Sequence, residues 1–469
     1  MAEAARQDPI QAPETEEAED LYGLTDEVTR AIVEAIDTKR FDEVARLTAE
    51  LHAADVADLI ERLGGERREL LIKAIGPSLL PETLSHLDYQ VREELVDLLP
   101  ASEIAAALAE LDTDDALEII EDLDTAQQRE VLAELPAPDR ALVEQGLTYP
   151  EESAGRLMQR AFVMVPQFWT VGETIDHLRD SKDDESLPDE FYDLFVVDPK
   201  MQLVGAVALS RIMRSRRKVK IAELMKEDIK RIPVDMDQEE VAFLFRQYGL
   251  VDAPVIDADG RLLGMITVDD IVHVVGEEAE EDMLKLAGVQ ESDVFSAVLN
   301  TTRSRFTWLF INLLTAIAAS VVIGLFEDAI AAVVALAVLM PIVASMGGNA
   351  GTQTLTVAVR ALATRELSPS NAWRVIFKEV MVGLINGLSF ALIMGAIAFF
   401  WFSSWQIGAV IGAAMVLNLL AAAFFGAFIP LGLERLGVDP AVASSVFLTT
   451  VTDIVGFLAF LGLATVFLL

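Results

Sequence analysis

The 469-residue sequence contains no cysteine, which removes disulfides, thiolate metal sites and cysteine nucleophiles from consideration. It holds no Gly-Lys dipeptide, so there is no Walker A loop to cradle phosphates. The four histidines, His52, His86, His177 and His273, lack HExxH spacing and a nucleophile partner, which argues against hydrolytic catalysis. Basic residues are scarce: 36 Lys and Arg face 75 Asp and Glu, for a net charge of −39. A field of that sign repels nucleic acid and anionic lipid and suits cations as partners. The N-terminus, with Glu3, Asp8 and a run from Glu14 to Asp20, has neither the basic region nor the apolar core of a signal peptide. A short disordered acidic tail is expected over residues 1–20.

Charge is unevenly spread. From Thr301 onward seven acids balance seven bases, so the whole net charge lies before that point. The balanced half contains long uncharged runs, 306–326, 329–359 and 380–433, the last divided by the Ser403-Ser404-Trp405-Gln406 turn, and a final run, 441–469, with one charge. Each is long enough to cross about 30 Å of hydrocarbon. Five membrane helices are expected at about 306–326, 329–348, 376–402, 407–431 and 441–467, within a domain over 304–469. All seven bases of this half fall at the ends that share a side with the N-terminal half. That positive-inside pattern makes the N-terminal half cytosolic and the C-terminus external, in a multi-pass protein of the cell membrane surrounded by lipid. Gly383 and Gly387, and Gly408 and Gly412, are small-xxx-small pairs suited to close helix contact.

The acidic half carries two repeats. Leu51, Leu63, Ile75, Leu87, Leu99, Leu111, Leu123, Leu135 and Leu147 recur every 12 residues, and from Leu63 on each is followed by a turn or capping residue: Gly64, Gly76, Asp88, Pro100, Asp112, Asp124, Pro136, Thr148. Twelve residues hold a two- to three-turn helix and a link, so an acidic superhelix of short helices is expected over 21–150. In the second repeat, Leu157-Met158 with Pro166 is matched by Leu224-Met225 with Pro233, and Phe195 to Asp198 with Gly205 by Pro254 to Asp257 with Gly264. The first copy holds extra residues in the acidic stretch between Ser181 and Glu190. Each copy reads as a small α/β unit, over 151–215 and 216–276. The two resemble a pair of cystathionine-β-synthase-type (CBS) domains, ligand sensors in which a Gly-x-x-Thr/Ser-x-x-Asp turn holds adenosine ribose. Gly264, Thr267 and Asp270 match that turn, whereas the first copy has Ala208 and Arg211. One ATP site, at Thr267 and Asp270, is therefore allowed.

Beyond the pair, Glu277, Glu278, Glu280, Glu281 and Asp282 precede an apolar stripe of Met283, Leu284, Leu286 and Ala287. An amphipathic connecting helix is expected over 277–303, with acids so dense that they repel unless cations lie between them. In the membrane half, Pro341 and the run Gly347-Gly348-Asn349-Ala350-Gly351-Thr352-Gln353 suggest an unwound segment that frees carbonyls of Gly347 and Gly348 at membrane depth. Such backbone is tolerated only against protein or water. Asn349 adds a side-chain oxygen suited to a hard or hydrated cation. Asp453 is the one charge inside the last span, about 18 Å from Ala441, with Thr449, Thr450 and Thr452 around it. A carboxylate there is a functional-site hypothesis by default. No base lies at that depth, so its natural partner is a cation or a proton.

In this order the parts resemble the MgtE-type magnesium channels, in Pro341, the run Gly347 to Gln353, Thr356, Arg360 to Ala363 and Thr452-Asp453. The resemblance implies a multidomain chain of helical-repeat N domain, tandem CBS pair, connecting helix and five-helix pore domain, serving magnesium homeostasis. It further implies a homodimer with two copies of Asp453 at one pore, Mg²⁺ as both transported ion and regulatory ligand, and closure when cytosolic Mg²⁺ neutralises acids. Those matching by position are Asp237, Glu239, Asp270, Glu278, Glu281 and Asp282, with Asp114 and Glu118 in the N domain. Gly249 stands where an acid is usual, so one regulatory site differs. The competing readings are a proton-coupled secondary transporter using Asp453, an ion-pumping ATPase, and a primarily adenylate-sensing module. Asp453 is followed by Ile454-Val455-Gly456, not the Lys-Thr-Gly of a phosphorylated pump.

Overall fold

The computed structural model describes residues 23–75, 80–181, 187–188, 190–289 and 298–469. The expected acidic tail, the cap Gly76 and most of the acidic insertion before Glu190 lie outside them. The chain forms two compact units, divided between Val275 and Gly276.

The first unit opens with a stack of short helices: α1 (Asp26–Asp37), α2 (Phe41–Thr48), α3 (Ala53–Arg62), α4 (Glu66–Ala74), α5 (Leu80–Ser85), α6 (Tyr89–Val96), α7 (Ala101–Leu108), α8 (Thr113–Asp122), α9 (Thr125–Glu134) and α10 (Ala137–Gly146). The residue that recurs every 12 positions leaves each helix rather than sitting within it. Leu63, Ile75, Leu123, Leu135 and Leu147 are C-caps, and all nine repeat residues pack into one core. Polar N-caps follow at once: Asp88 accepts from Gln90 N, and Asp124 forms a capping box with Gln127. Each cap satisfies amide protons that the helix start leaves bare.

The CBS pair follows with α11 (Ala154–Leu157), β1 (Met164–Pro166), α12 (Val171–Asp180), β2 (Asp193–Val197), β3 (Leu203–Ala208), α13 (Leu209–Met213), α14 (Ile221–Leu224), β4 (Ile232–Pro233), α15 (Gln238–Tyr248), β5 (Asp252–Ile256) and β6 (Leu262–Thr267). The sequence repeat is a repeat of register. Pro166 pairs with Val197 as Pro233 pairs with Ile256, and both sheets carry an irregularity there, between Val196 and Val197 and between Val255 and Ile256. The segments after the Leu-Met motifs dock crosswise: Gln159 and Met265 exchange two backbone bonds, as do Lys226 and Ala206. That crossing explains two glycines, since a Cβ on Gly264 would lie 2.6 Å from the Gln159 carbonyl and one on Gly205 2.5 Å from that of Lys226.

The next helix, α16 (Val268–Ala287), departs from expectation. It begins at Val268 within the second CBS copy, not at Glu277, because the single glycine between the two acidic stretches, Gly276, costs a helix only about 1 kcal/mol and does not end it. It ends at Gly288, whose φ of +70° suits a residue without Cβ. In the membrane unit follow α17 (Val298–Gly324), α18 (Glu327–Ala332), α19 (Ala335–Ala363), α20 (Ala372–Phe402), α21 (Trp405–Arg435) and α22 (Pro440–Leu468). Among the described residues five helices are long and apolar enough to cross a membrane: residues Thr301–Gly324 of α17, then α19, α20, α21, and Ser445–Leu468 of α22.

The expected unwinding at Gly347 and Gly348 does not occur. Helix α19 runs unbroken from Ala335 through Pro341 to Ala363. Each glycine costs a helix about 1 kcal/mol, but unwound backbone facing hydrocarbon costs several kcal/mol per bare polar group, so the helix persists. The glycines serve close approach instead. A Cβ on Gly347 would meet the Asn418 amide at 2.2 Å, and one on Gly351 would press on Leu448. The small-residue pairs act likewise: Gly383 and Gly387 of α20 meet Leu419, Ala423 and Val416 of α21, and Gly408 meets Gly395.

Candidate ion path and acidic clusters

Helix α19 has two faces. Leu339, Val343, Gly347, Gly351, Thr354, Leu355 and Ala358 are buried against neighbouring helices. Ser345, Asn349, Thr352, Gln353, Thr356 and Arg360 are exposed, at the spacing of one helix face. Several polar side chains in line on a membrane helix need water or protein to cover them, since lipid cannot. Asn349, Thr352 and Gln353 thus belong to a polar stripe on an intact helix, not to an unwound segment. Asn349 donates Nδ2 to the Ser345 carbonyl at 2.9 Å, which leaves its amide oxygen for a cation. The Gly348 carbonyl accepts from the Thr352 hydroxyl at 3.0 Å and stays in the helix, so it is not a freed ligand.

Helix α22 runs antiparallel to α19. Gly347 and Gly456 approach the same Asn418 side chain, and Gly351 meets Leu448, so Asn349 and Asp453 lie at the same level. Asp453 is half-buried. The threonines beside it turn away: Thr449 donates to Ser445 O at 3.0 Å, Thr450 to Val446 O at 2.7 Å, and Thr452 to Thr449 O at 3.1 Å. Their hydroxyl protons are used on their own helix, and only the oxygen lone pairs remain for an ion.

In the first unit the structure brings Asp114 and Asp270 together across the N domain and the second CBS copy. Asp270 Oδ2 accepts from the Thr267 hydroxyl at 2.6 Å, from the Thr267 amide at 3.2 Å and from Gln159 Nε2 at 3.4 Å. Asp114 Oδ1 is enclosed with no hydrogen-bond partner among the described residues. Burial first, then the charges of Asp270, Asp115 and Asp112, push the Asp114 carboxyl well above its usual range. Burial and Glu118 raise Asp115 to about 7, and burial raises Asp270 to about 6. Carboxylates crowded out of water in this way favour protons or a metal ion.

Other expected acids are held elsewhere. Glu118 pairs with the buried guanidinium of Arg92 at 2.6 Å, as does Asp122. Asp237 caps α15, accepting from Glu239 N at 3.0 Å, and Glu239 itself is exposed. Gly249 ends that helix at φ +61°, a conformation that an acidic residue adopts at a cost. Glu278 is half-buried on α16. Among the described residues no three acids or histidines stand close enough to hold a metal ion as they are.

Sequence reasoning missed Asp439. Its Oδ2 lies 3.0 Å from Lys285 Nζ, and the same lysine pairs with Glu281. Burial, then Asp439, raise the Asp282 carboxyl. Asp439 also caps α22 through Ala441 N, which is the signal that sequence offers and which reads as purely structural.

Three family descriptions match in chain order: the MgtE intracellular N domain over residues 51–152, the CBS domain over 221–277, and the MgtE divalent cation transporter over 340–463. The magnesium transporter MgtE of Thermus thermophilus is 36% identical over 439 residues, spanning 92% of this chain and 96% of the relative. The chain belongs to the MgtE family of magnesium transporters. The MgtE proteins of Enterococcus faecalis and Bacillus subtilis are 34% and 32% identical, over 70% and 71% of this chain and 71% and 73% of theirs. Among solved structures, the cytosolic domain of the Mg²⁺ channel MgtE in complex with ATP is 30% identical, covering 52% of this chain and 99% of that one, with a TM-score of 0.49. The helical N domain, CBS sheets and membrane helices accord with the MgtE family throughout.

Proposed function

We propose that the chain is a Mg²⁺-selective channel that imports Mg²⁺ across the cell membrane and is closed by cytosolic Mg²⁺. The observation that carries this reading is the polar stripe of α19 at the level of Asp453. Relatives named magnesium transporters over nearly the whole chain support Mg²⁺ as the ion. Mg²⁺ gives up its waters reluctantly, and a carboxylate with amide and hydroxyl oxygens binds it through those waters. One Asp453 offers a single charge to a doubly charged ion. Two copies would match it and would cover the exposed stripe, which favours a homodimer around one path. The positive-inside pattern supports cytosolic N-terminal domains and an external C-terminus.

The sensor in this reading comprises Asp114, Asp115 and Asp270 in one cluster and Glu281, Asp282 and Asp439 in another. Both are rich in carboxylates, and in the second Lys285 supplies a neutralising charge. Mg²⁺ arriving there would replace the lysine and tie α16 to the helix that carries Asp453. Asp237, Glu239, Glu278 and Glu118 belong to the same proposal through the family pattern. A second reading adds ATP at Thr267 and Asp270, whose hydrogen-bonded turn is already in place. Uptake of Mg²⁺ by magnesium-starved, transport-deficient cells tests the pore: Asp453→Ala should abolish it, and undiminished uptake would sink the proposed site.

A further inference from the structure

Asn418 is fully buried in α21. It lies 13 residues from Trp405, about 20 Å along the helix and so near mid-membrane. Its Nδ2 donates to the Val343 carbonyl of α19 at 2.8 Å, an acceptor on another helix. The amide is wedged between two glycines on different spans: a Cβ would lie 2.2 Å from Nδ2 at Gly347 and 2.8 Å from it at Gly456. Its Oδ1 is enclosed with no hydrogen-bond partner among the described residues. Leaving such an acceptor bare works against stability, and an apolar side chain of similar shape would pack there without that penalty. Packing alone therefore does not account for an asparagine.

The position of the wedge does. Gly347 is two residues before Asn349, and Gly456 is one helical turn after Asp453. The spacing of α19 and α22 at the level of the ion path is set by what lies between those glycines. We propose that Asn418 is a positioning residue for ion selectivity: its amide, anchored on Val343, fixes the separation of Asn349 and Asp453 and so decides which divalent cation the path accepts. This inference rests on reading Asp453 as the pore ligand. Mg²⁺ holds its waters in a nearly ideal octahedron, so the oxygens that receive those waters must stand at a fixed spacing, whereas Ca²⁺ takes about six to eight ligands in an adaptable shell. A looser spacing therefore penalises Mg²⁺ more than Ca²⁺.

The test is the Mg²⁺ to Ca²⁺ permeability ratio of the full chain in proteoliposomes, read from bi-ionic reversal potentials. Asn418→Leu keeps about the same volume and loses the donor, and Asn418→Ala removes the wedge. Each should lower the ratio by about tenfold, the lower end of what losing a residue that orients a metal ligand costs, while current persists. Asn418→Ser, shorter but still a donor, should fall between them and the unaltered chain. Gly347→Ala presses on the same amide from the other side and should also change the ratio, which guards against Asn418 variants that fail to fold. Currents that fall only with the amount of folded protein, at an unchanged ratio, would overturn the proposal. If Asp453→Ala conducts with unaltered selectivity, the pore reading fails and takes this inference with it. If Asp453→Ala abolishes current while the Asn418 variants keep the ratio, this inference alone fails.

Discussion

Lys285 Nζ reaches Asp439 Oδ2 at 3.0 Å, joining the acidic helix α16 to the cap of the helix that bears Asp453. The lysine also pairs with Glu281, so one positive charge stands among three acids. If Mg²⁺ takes that place, Lys285 is its competitor. Lys285→Met should therefore lower the Mg²⁺ concentration that half-protects the chain from protease by about fivefold, the equivalent of about 1 kcal/mol for a partly exposed charge. An unmoved midpoint would show that Mg²⁺ does not act there.

The N-domain and CBS acids make stability depend on pH in a definite direction. Asp115 at about 7 and Asp270 at about 6 are raised above the ordinary carboxyl value of 3.8. Raised carboxyls bind protons in the folded state, so their stabilising contribution is complete below pH 3.8 and is lost as pH rises through 6 to 7. His86 works the other way: burial, His52 and His273 lower it from 6.5, so it weakens the fold only below that value. Between pH 6.5 and 8 the acids alone remain. In EDTA, amide exchange in α8 and at the start of α16, corrected for intrinsic rate, should be faster at pH 8 than at pH 6.5. Millimolar Mg²⁺ should erase the difference. Equal protection at both pH values without metal would contradict the cluster.

Arg92 is 3% exposed and bridges Glu118 and Asp122. Arg92→Met leaves Asp122 inside without its partner, a loss on the order of 3 kcal/mol. Thermal unfolding of the N domain should fall accordingly, whereas Glu118→Gln, at the exposed end of the bridge, should cost under about 1 kcal/mol.

The particular residues show what sequence can reveal. The 12-residue leucine period and the paired Leu-Met and Gly motifs encode local turns and strand register, which depend on neighbours in the chain. Asp453 stands out because a charge in an apolar run is conspicuous at any position. The fate of Gly347 was not legible, because a glycine favours unwinding in water and close packing in a membrane, and only Asn418, 71 residues away, decides between them. Asp439 was missed for the same reason: its partner Lys285 lies more than 150 residues earlier in the chain.

The contact between Gly395 and Gly408 separates packing from selectivity. A Cβ on Gly408 would lie 2.6 Å from the Gly395 carbonyl oxygen, which is backbone and cannot rotate aside. Alanine gains about 1 kcal/mol in helix propensity, but forcing two helices apart costs about 1–3 kcal/mol, so the clash prevails. Gly408→Ala should lower the melting temperature in detergent. This contact lies between α20 and α21, ten residues before Asn418 and away from the α19–α22 spacing, so the Mg²⁺ to Ca²⁺ permeability ratio should stay as it is. A raised melting temperature would mean that the third and fourth spans can move apart freely, and a changed ratio would mean that selectivity responds to packing anywhere in the membrane unit.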